Sequence, residues 1–451
     1  MLVLTFDGAL FKFRVKTPSF TPLFQFPPRI AAKRINPTPY LYFTNSIVIY
    51  ISIKTYSLLL PKISLFANLL RSYKKACRGK RDRFSVARFN YSLDLHLLNL
   101  KQQLIDGTYR PGPYRKFVVN DPKLRQISAP VFLDRILHHA ICQIIEPIFE
   151  AIFIYDSWAC RKGKGIHHAA KRLQQFLRKN GTNYALACDI SKYFTSINQQ
   201  VLFGLIRKKI ADPPLLRLLQ VIISGYKDPQ RSTENNPCGI PIGNLTSQLF
   251  ANIYLNELDQ YIKHVLKRKY YLRYVDDFII LGSSKEDMHE VKLKITEFLR
   301  DRLKLELHPK KVRLFPSRLG VDFVGYVVFA DHIRLRSKNV RRFEKRRSRL
   351  LLALEKGKVT EQFVKASIRS WVAHASHADT YRLRQKLFAS SIPPTSCPVP
   401  KPSSRHVRTA CGIKNPADAP PEATNAEARS VNQPQQADVS SQLNLFDDWP
   451  E

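Results

Sequence analysis

The stretch Tyr271-Leu272-Arg273-Tyr274-Val275-Asp276-Asp277-Phe278-Ile279-Ile280-Leu281 decides the fold. Aromatic and β-branched residues run on both sides of two adjacent aspartates, the pattern of a hairpin with carboxylates at its bend. Neighbouring anions at a tight turn repel each other and gain nothing structurally, but a divalent cation makes them tolerable. An isolated Asp-Asp pair reads more simply as a solvated turn, so the chemical reading needs a second carboxylate site. The segment Tyr184-Ala185-Leu186-Ala187-Cys188-Asp189-Ile190-Ser191-Lys192-Tyr193-Phe194 supplies one. Its apolar run through Cys188 predicts a buried strand from which Asp189 emerges at the surface. If the two strands are neighbours in one sheet, Asp189 and Asp276 face each other. They could then hold two Mg²⁺ about 4 Å apart, activating an attacking 3′-hydroxyl and stabilising a departing pyrophosphate.

Between these segments lies Gly239-Ile240-Pro241-Ile242-Gly243-Asn244-Leu245-Thr246-Ser247-Gln248, followed by Leu249-Phe250-Ala251-Asn252-Ile253-Tyr254-Leu255. Gly and Pro fix a loop whose backbone can approach a ligand closely. Asn244 or Thr246 is placed to cap the following helix. Without the aspartates this would be an ordinary loop-to-helix junction.

Composition points the same way. The 451 residues include 73 Lys+Arg against 36 Asp+Glu, a formal net charge of +37, which argues for a polyanionic partner: nucleic acid or an anionic membrane surface. Residues 1–62 carry eight basic groups and one acidic, and residues 394–451 five basic and seven acidic, so the surplus belongs to residues 63–393. That placement favours nucleic acid. Seven cysteines without a CxxC pair exclude a disulfide scaffold, a zinc ribbon and a thioredoxin-like site, and indicate a reducing, cytoplasmic setting.

Residues 1–62 are broken by prolines, and Leu41–Leu60 is interrupted by Thr44, Asn45, Ser46, Ser52, Lys54 and Ser57, short of a membrane span. The order of a signal peptide is absent too. The composition is that of AT-rich sequence translated upstream of the true start; an anchor or a genuine extra element are the alternatives. From Ile63 an amphipathic helical period sets in, and from Pro393 the Pro-, Ser-, Ala-, Asn- and Gln-rich tail predicts disorder.

The order of a CDISKYF strand, a GIPIGNLTSQ loop and a YVDD hairpin resembles the palm of a reverse transcriptase, over roughly residues 63–390. Ile242 and Gln248 stand where group II intron and retron enzymes usually have Gln and Pro. That departure, with Glu146–Glu150, Ala159–Gly165, Ser370-Trp371, His374, His377 and Ala378-Asp379-Thr380, resembles the reverse transcriptases of diversity-generating retroelements. The resemblance implies an α+β right-hand polymerase with fingers, a split-βαβ palm and a helical thumb. Its parts would be a poorly structured extension (1–62), N-terminal helices and fingers (63–180), and a palm (181–330) with a helical fingers insertion at about 200–237. A basic helical thumb (331–392) and a disordered tail (393–451) complete it.

The same resemblance implies Asp189, Asp276 and Asp277 as ligands of two Mg²⁺, Asp277 the least direct. It makes Phe194 the aromatic gate that leaves no room for a 2′-hydroxyl, with a core phenylalanine as the bland alternative. Lys123 and Arg125, on a fingers hairpin, would meet the triphosphate, a point cation and a bidentate guanidinium; the alternative is a solvated basic turn. Ile242, Gly243 and Gln248 would line the nucleotide site, where Ile242 cannot hydrogen-bond and leaves discrimination to shape. Lys311 would assist the leaving pyrophosphate or be one more solvated lysine. Gly325 would form the primer grip or be a plain strand glycine.

Residues 336–349 hold eight Lys/Arg, among them Arg341, Arg342, Lys345 and Arg346, and resemble a thumb that tracks the template–primer duplex. His374 and His377 lack the further ligands of a tetrahedral metal site, so hydrogen bonding in the thumb is the expectation. Arg135 is expected to pair with Asp134 or Glu150. Ser283 is expected to cap a helix whose Met288, Val291, Ile295 and Phe298 face the core. In the tail, Gln442, Leu443, Leu445 and Phe446 resemble a peptide that docks on a bacterial sliding clamp. The implied function is an RNA-directed DNA polymerase, bacterial or phage-encoded, copying template RNA from a DNA primer with dNTPs. It would be error-prone at template adenines and would work with a small basic accessory variability protein, with no membrane involved. The alternatives are a group II intron or retron enzyme, and a non-catalytic RNA-binding scaffold.

Overall fold

A computed structural model describes residues 2–6, 9–13, 43–44, 47–48, 54–120 and 124–388. It divides into two compact units, Met1–Lys54 and Thr55–Glu451. In the first, β1 (Leu2–Phe6) pairs with β2 (Ala9–Phe13), and β3 (Phe43–Thr44) with β4 (Ile47–Val48), each antiparallel. Among the described residues no helix is long and apolar enough to cross a membrane.

The second unit opens with four helices, α1 (Leu60–Ser64), α2 (Phe66–Ala76), α3 (Phe84–Tyr91) and α4 (Leu93–Asp106). Its start corrects the expected boundary at residue 63. Leu59 and Leu60 are buried, and their amides both donate to Asp212 Oδ2, at 2.5 and 3.0 Å. Tyr56 forms a parallel bridge with Ile210. A hairpin follows, β5 (Arg115–Asn120) and β6 (Leu124–Ala129), and then the long helix α5 (Phe132–Glu150) and α6 (Ile166–Leu177). Strand β7 (Tyr184–Asp189) leads through the single turn α7 (Tyr193–Ser196) into the inserted helices α8 (Gln199–Arg207) and α9 (Pro213–Ser224). Asp212 caps α9 by accepting from Leu215 N–H, 3.1 Å, ahead of two prolines suited to a first turn.

Helix α10 (Leu245–Gln260) buries Leu249, Phe250, Ile253, Tyr254, Leu255 and Leu258 around its whole circumference, as a helix at the centre of a core does. Beyond it come β8 (Tyr271–Tyr274), β9 (Asp277–Gly282), α11 (Lys285–Leu303) and β10 (Arg313–Pro316). Ser284, one residue past the expected Ser283, caps α11 by accepting from Asp287 N–H, 3.2 Å. The acid three positions on from Ser284 is Asp287 and from Ser283 is Glu286, so the sequence alone offered both registers.

The palm sheet has the antiparallel order β10-β7-β9-β8. It is buried on both faces, which is why its strands read as unbroken apolar runs. Alternate residues divide between two cores. Leu186, Cys188, Tyr271, Phe278 and Ile280 join the helical core of α5, α10 and α11. Ala185, Ala187, Leu272, Ile279 and Leu281 pack with Trp158, with Leu173 of α6, and with a second sheet. That sheet, β11 (Val321–Phe323), β12 (Tyr326–Val328) and β13 (Ile333–Leu335), runs past residue 330, so the expected palm–thumb boundary cuts through it. The helices α12 (Ser337–Glu355), α13 (Glu361–Ala375) and α14 (Tyr381–Phe388) complete the described chain.

Candidate active site

Register builds the site. Asp189 ends β7 directly opposite Asp277, the first residue of β9. Asp276 occupies the bend between β8 and β9, and its carbonyl accepts from Ile190 N–H, 3.3 Å. Three carboxylates from two distant segments therefore share one end of the sheet. The chain after α11 crosses the same end: His308 N–H donates to the Asp189 carbonyl, 2.7 Å, and Ser191 N–H to the Glu306 carbonyl, 2.9 Å. This crossing carries Lys311 to Asp189, where its ammonium donates to Oδ1. Lys311 is thus paired within the site.

Crowding sets the electrostatics. Asp276 is held above the usual carboxylate range by burial first and by the Asp189 charge second, while Lys311 and Arg125 pull it back. Asp277 rises to about 8, through loss of solvent, a hydrogen bond with Asp189 and the charges of both other aspartates. Arg125, on the exposed end of β6, thus acts on Asp276 from the β5–β6 hairpin. Lys123 lies outside the described residues, as do Gln442, Leu443, Leu445 and Phe446.

The adjacent aromatics separate cleanly. Tyr193 is buried and donates to the Ala251 carbonyl, 2.6 Å, whereas Phe194 is half-exposed beside the acidic end of β7. The Phe194 carbonyl accepts from Ile240 N–H, 2.9 Å, tying it to the Gly239–Asn244 loop. That loop rests on β6: the Ile242 carbonyl accepts from Ser128 N–H, 2.9 Å. At Gly243, with φ +133°, an added Cβ would stand 2.7 Å from the Ser128 oxygen, so this approach requires glycine. Asn244 holds the cap position of α10 but directs its amide to the Tyr114 hydroxyl, 2.9 Å, and Thr246 meets His138 Nδ1, 2.7 Å, so neither side chain caps the helix. Gln248 is half-buried in the first turn.

Farther out, Gly325 turns the chain between β11 and β12 at φ +90°, and its carbonyl accepts from Arg336 N–H and Asn339 Nδ2, each 3.2 Å. It is a turn glycine rather than a plain strand one. Arg341, Arg342, Lys345 and Arg346 are exposed on α12, whose buried Phe343 stacks on Trp371, centroids 3.8 Å apart. Arg336 and Arg347 of the same basic run serve the fold, pairing with Asp322 and the Leu387 carbonyl. Glu150 pairs with Arg161, at 2.6 Å, and Asp134 accepts from Tyr109 and Gly112, while Arg135 donates to the Pro130 carbonyl, 3.1 Å. Arg273 is the residue that sequence reasoning passed over; a lone cation inside an apolar strand was the available signal.

Residues 118–328 match the family model described as reverse transcriptase (RNA-dependent DNA polymerase). The group II intron-encoded protein LtrA of Lactococcus lactis subsp. cremoris is 28% identical over 291 residues, covering 50% of this chain and 48% of that protein. Protein YkfC of Escherichia coli is 28% identical over 272 residues, 52% and 71% of the two chains. The chain thus spans about half the length of the Lactococcus relative. Among solved structures, apo telomerase from Candida tropicalis aligns with a TM-score of 0.37 and 14% identity, over 52% of this chain and 59% of that one. The matched segment contains the four-stranded sheet, its three aspartates and strand β6: it is a reverse transcriptase domain, of the family related to group II intron proteins.

Proposed function

We propose that this protein is an RNA-directed DNA polymerase that extends a DNA primer on template RNA, with its reaction centre at Asp189, Asp276 and Asp277. The observation that carries the reading is the convergence of these three carboxylates at one sheet end, where the Arg125 charge acts on Asp276 and half-exposed Phe194 follows closely after Asp189 in the chain. The donors are all carboxylate oxygens; burial first and the neighbouring aspartates second raise Asp276 and Asp277, and a hard divalent cation relieves both. Asp189, Asp276 and Asp277 would hold that metal, taken as two Mg²⁺, which when bound neutralises charge on the attacking and leaving oxygens. Among the described residues no three His, Cys, Asp or Glu side chains stand as a ready-made metal site, so these aspartates would close around the metal only on loading. Lys311 holds an Asp189 oxygen, so loading requires that contact to yield.

The chain's own groups divide the remaining work. Arg125, with Lys123, presents cations to the triphosphate oxygens. Phe194 excludes a 2′-hydroxyl sterically. Lys311, once released from Asp189, places positive charge beside the departing pyrophosphate. Gly243 lets the Ile242–Gln248 segment approach the nucleotide, Gly325 belongs to the primer grip, and Arg341, Arg342, Lys345 and Arg346 follow the duplex backbone.

Ile242 and Gln248 favour the finer reading, a diversity-generating retroelement enzyme that misreads template adenines and works with a basic accessory protein; separately, Gln442, Leu443, Leu445 and Phe446 support docking on a sliding clamp. The intron-encoded relatives favour a group II intron type instead. Primer extension with sequencing of the product distinguishes them. The wild type is expected to extend the primer and Asp276→Ala to leave it unextended; equal inactivity of both would leave an RNA-binding scaffold. Errors concentrated at template adenines assign the retroelement type, and an even spectrum assigns the intron type.

A further inference from the structure

Arg273 lies in β8 between Leu272 and Tyr274 and is 1% exposed, the largest fully enclosed side chain among the described residues. Every guanidinium N–H has an acceptor. Nε donates to Asp259 Oδ1 at 2.8 Å, and Nη2 to Asp259 Oδ2 at 2.7 Å and Ser157 Oγ at 3.1 Å. Nη1 donates to the Val275 carbonyl at 2.9 Å and to Asn252 Oδ1 at 3.3 Å. Asp259 is itself buried and also accepts from the Tyr271 hydroxyl, 2.5 Å. The Arg273 main chain is pinned from both sides, its N–H donating to the Asp156 carbonyl and its carbonyl accepting from Trp158 N–H, both 2.9 Å.

Stability alone is a poor reason for such a pair, because apolar residues of the same volume often do as well in a core. The contact with Val275 gives a better one. Val275 has φ +55°, the left-handed region that a β-branched residue avoids. Its carbonyl begins the peptide that leads into Asp276, so a donor on that oxygen fixes how the bend points. We propose that Arg273, seated by Asp259 and Ser157, is a positioning residue that holds the strained Val275 turn and thereby aims Asp276 and Asp277 toward Asp189. The inference rests on the reading of these aspartates as the reaction centre.

Arg273→Lys keeps the charge facing Asp259 but loses the planar fork that reaches Asp259, Ser157, Val275 and Asn252 together. Ser157→Ala removes one support of the guanidinium and serves where Arg273→Lys fails to fold. Three measurements on the full chain decide the matter: kcat and KM in primer extension, Mn²⁺ affinity by EPR titration, and hydrogen exchange across residues 270–282. For Arg273→Lys we expect kcat to fall about 10²-fold with KM for dNTP little changed, and Mn²⁺ affinity to fall about tenfold. Exchange should quicken at residues 274–278 while β7 keeps its protection. Ser157→Ala should move all three the same way by less. Wild-type Mn²⁺ affinity and wild-type exchange at 274–278 in a folded variant would overturn the inference. So would faster exchange spread over the whole palm, which marks a merely structural pair. A wild type that extends no primer would instead defeat the polymerase reading, while Mn²⁺ binding and exchange still decide the role of Arg273.

Discussion

Tyr193 and Phe194 are adjacent aromatics with opposite tasks, and substitutions separate them. Phe194→Ala is expected to admit ribonucleotides, read as single-nucleotide incorporation of rNTP against dNTP, with little change in Tm because the ring is half-exposed. Tyr193→Phe should keep the sugar preference and lose about 1 kcal/mol of stability with its buried hydrogen bond to Ala251. Single residues were legible in sequence where charge contradicts its surroundings: Asp189 ends an apolar run, and Asp276 and Asp277 interrupt another. Arg273 meets the same criterion and was passed over because its partners, Asp259, Asn252 and Ser157, lie in other segments. Which of two neighbouring aromatics is core followed only from the resemblance that makes Phe194 the gate, since α7 is too short to show a period.

At the scale of elements, α6, β12 and α13 meet through histidines. His167 stacks on His377 with centroids 3.6 Å apart, and the Tyr326 hydroxyl lies 2.8 Å from His167 Nδ1 and 3.3 Å from His374 Nδ1. Burial, then the neighbouring histidines, holds His167 down at about 4. His374 and His377 are lowered as well, mainly by burial, with Arg342 acting on the first and Lys171 and His168 on the second. The folded joint is therefore neutral while the unfolded chain takes up protons below about pH 6.5. Stability is fully present above that pH and drains away as pH falls toward 4. Thermal melts from pH 7.5 to 5 should show Tm dropping, and dropping less in His377→Phe, which keeps a ring in the stack without a titrating group. The spacing of His374 and His377 gave half of this joint; His167, two hundred residues earlier, could not be linked to it without the fold.

Over the whole molecule, the basic surplus of residues 63–393 has a measurable consequence. Replacing exposed Lys345 and Arg346 by Gln should weaken template–primer binding regardless of sequence. The slope of log K against log salt, read by fluorescence anisotropy, should shrink by about 2. The palm was legible because each motif carries its own pattern: an apolar run ending in Asp189, a Gly- and Pro-fixed loop, and a hairpin with paired aspartates. The strand order β10-β7-β9-β8 does not follow chain order and was not legible. The three-stranded sheet was less legible, its strands being only three residues long and joined by turns at Gly325 and beyond. The start of the folded body was misjudged because a helical period marks only where regular structure begins. The amides of Leu59 and Leu60 are spent on Asp212, the residue that also starts α9. A polypeptide initiated at residue 63 would leave that carboxylate enclosed with only its Leu215 partner, so shortening the protein at one extremity would fray a helix some hundred and fifty positions downstream.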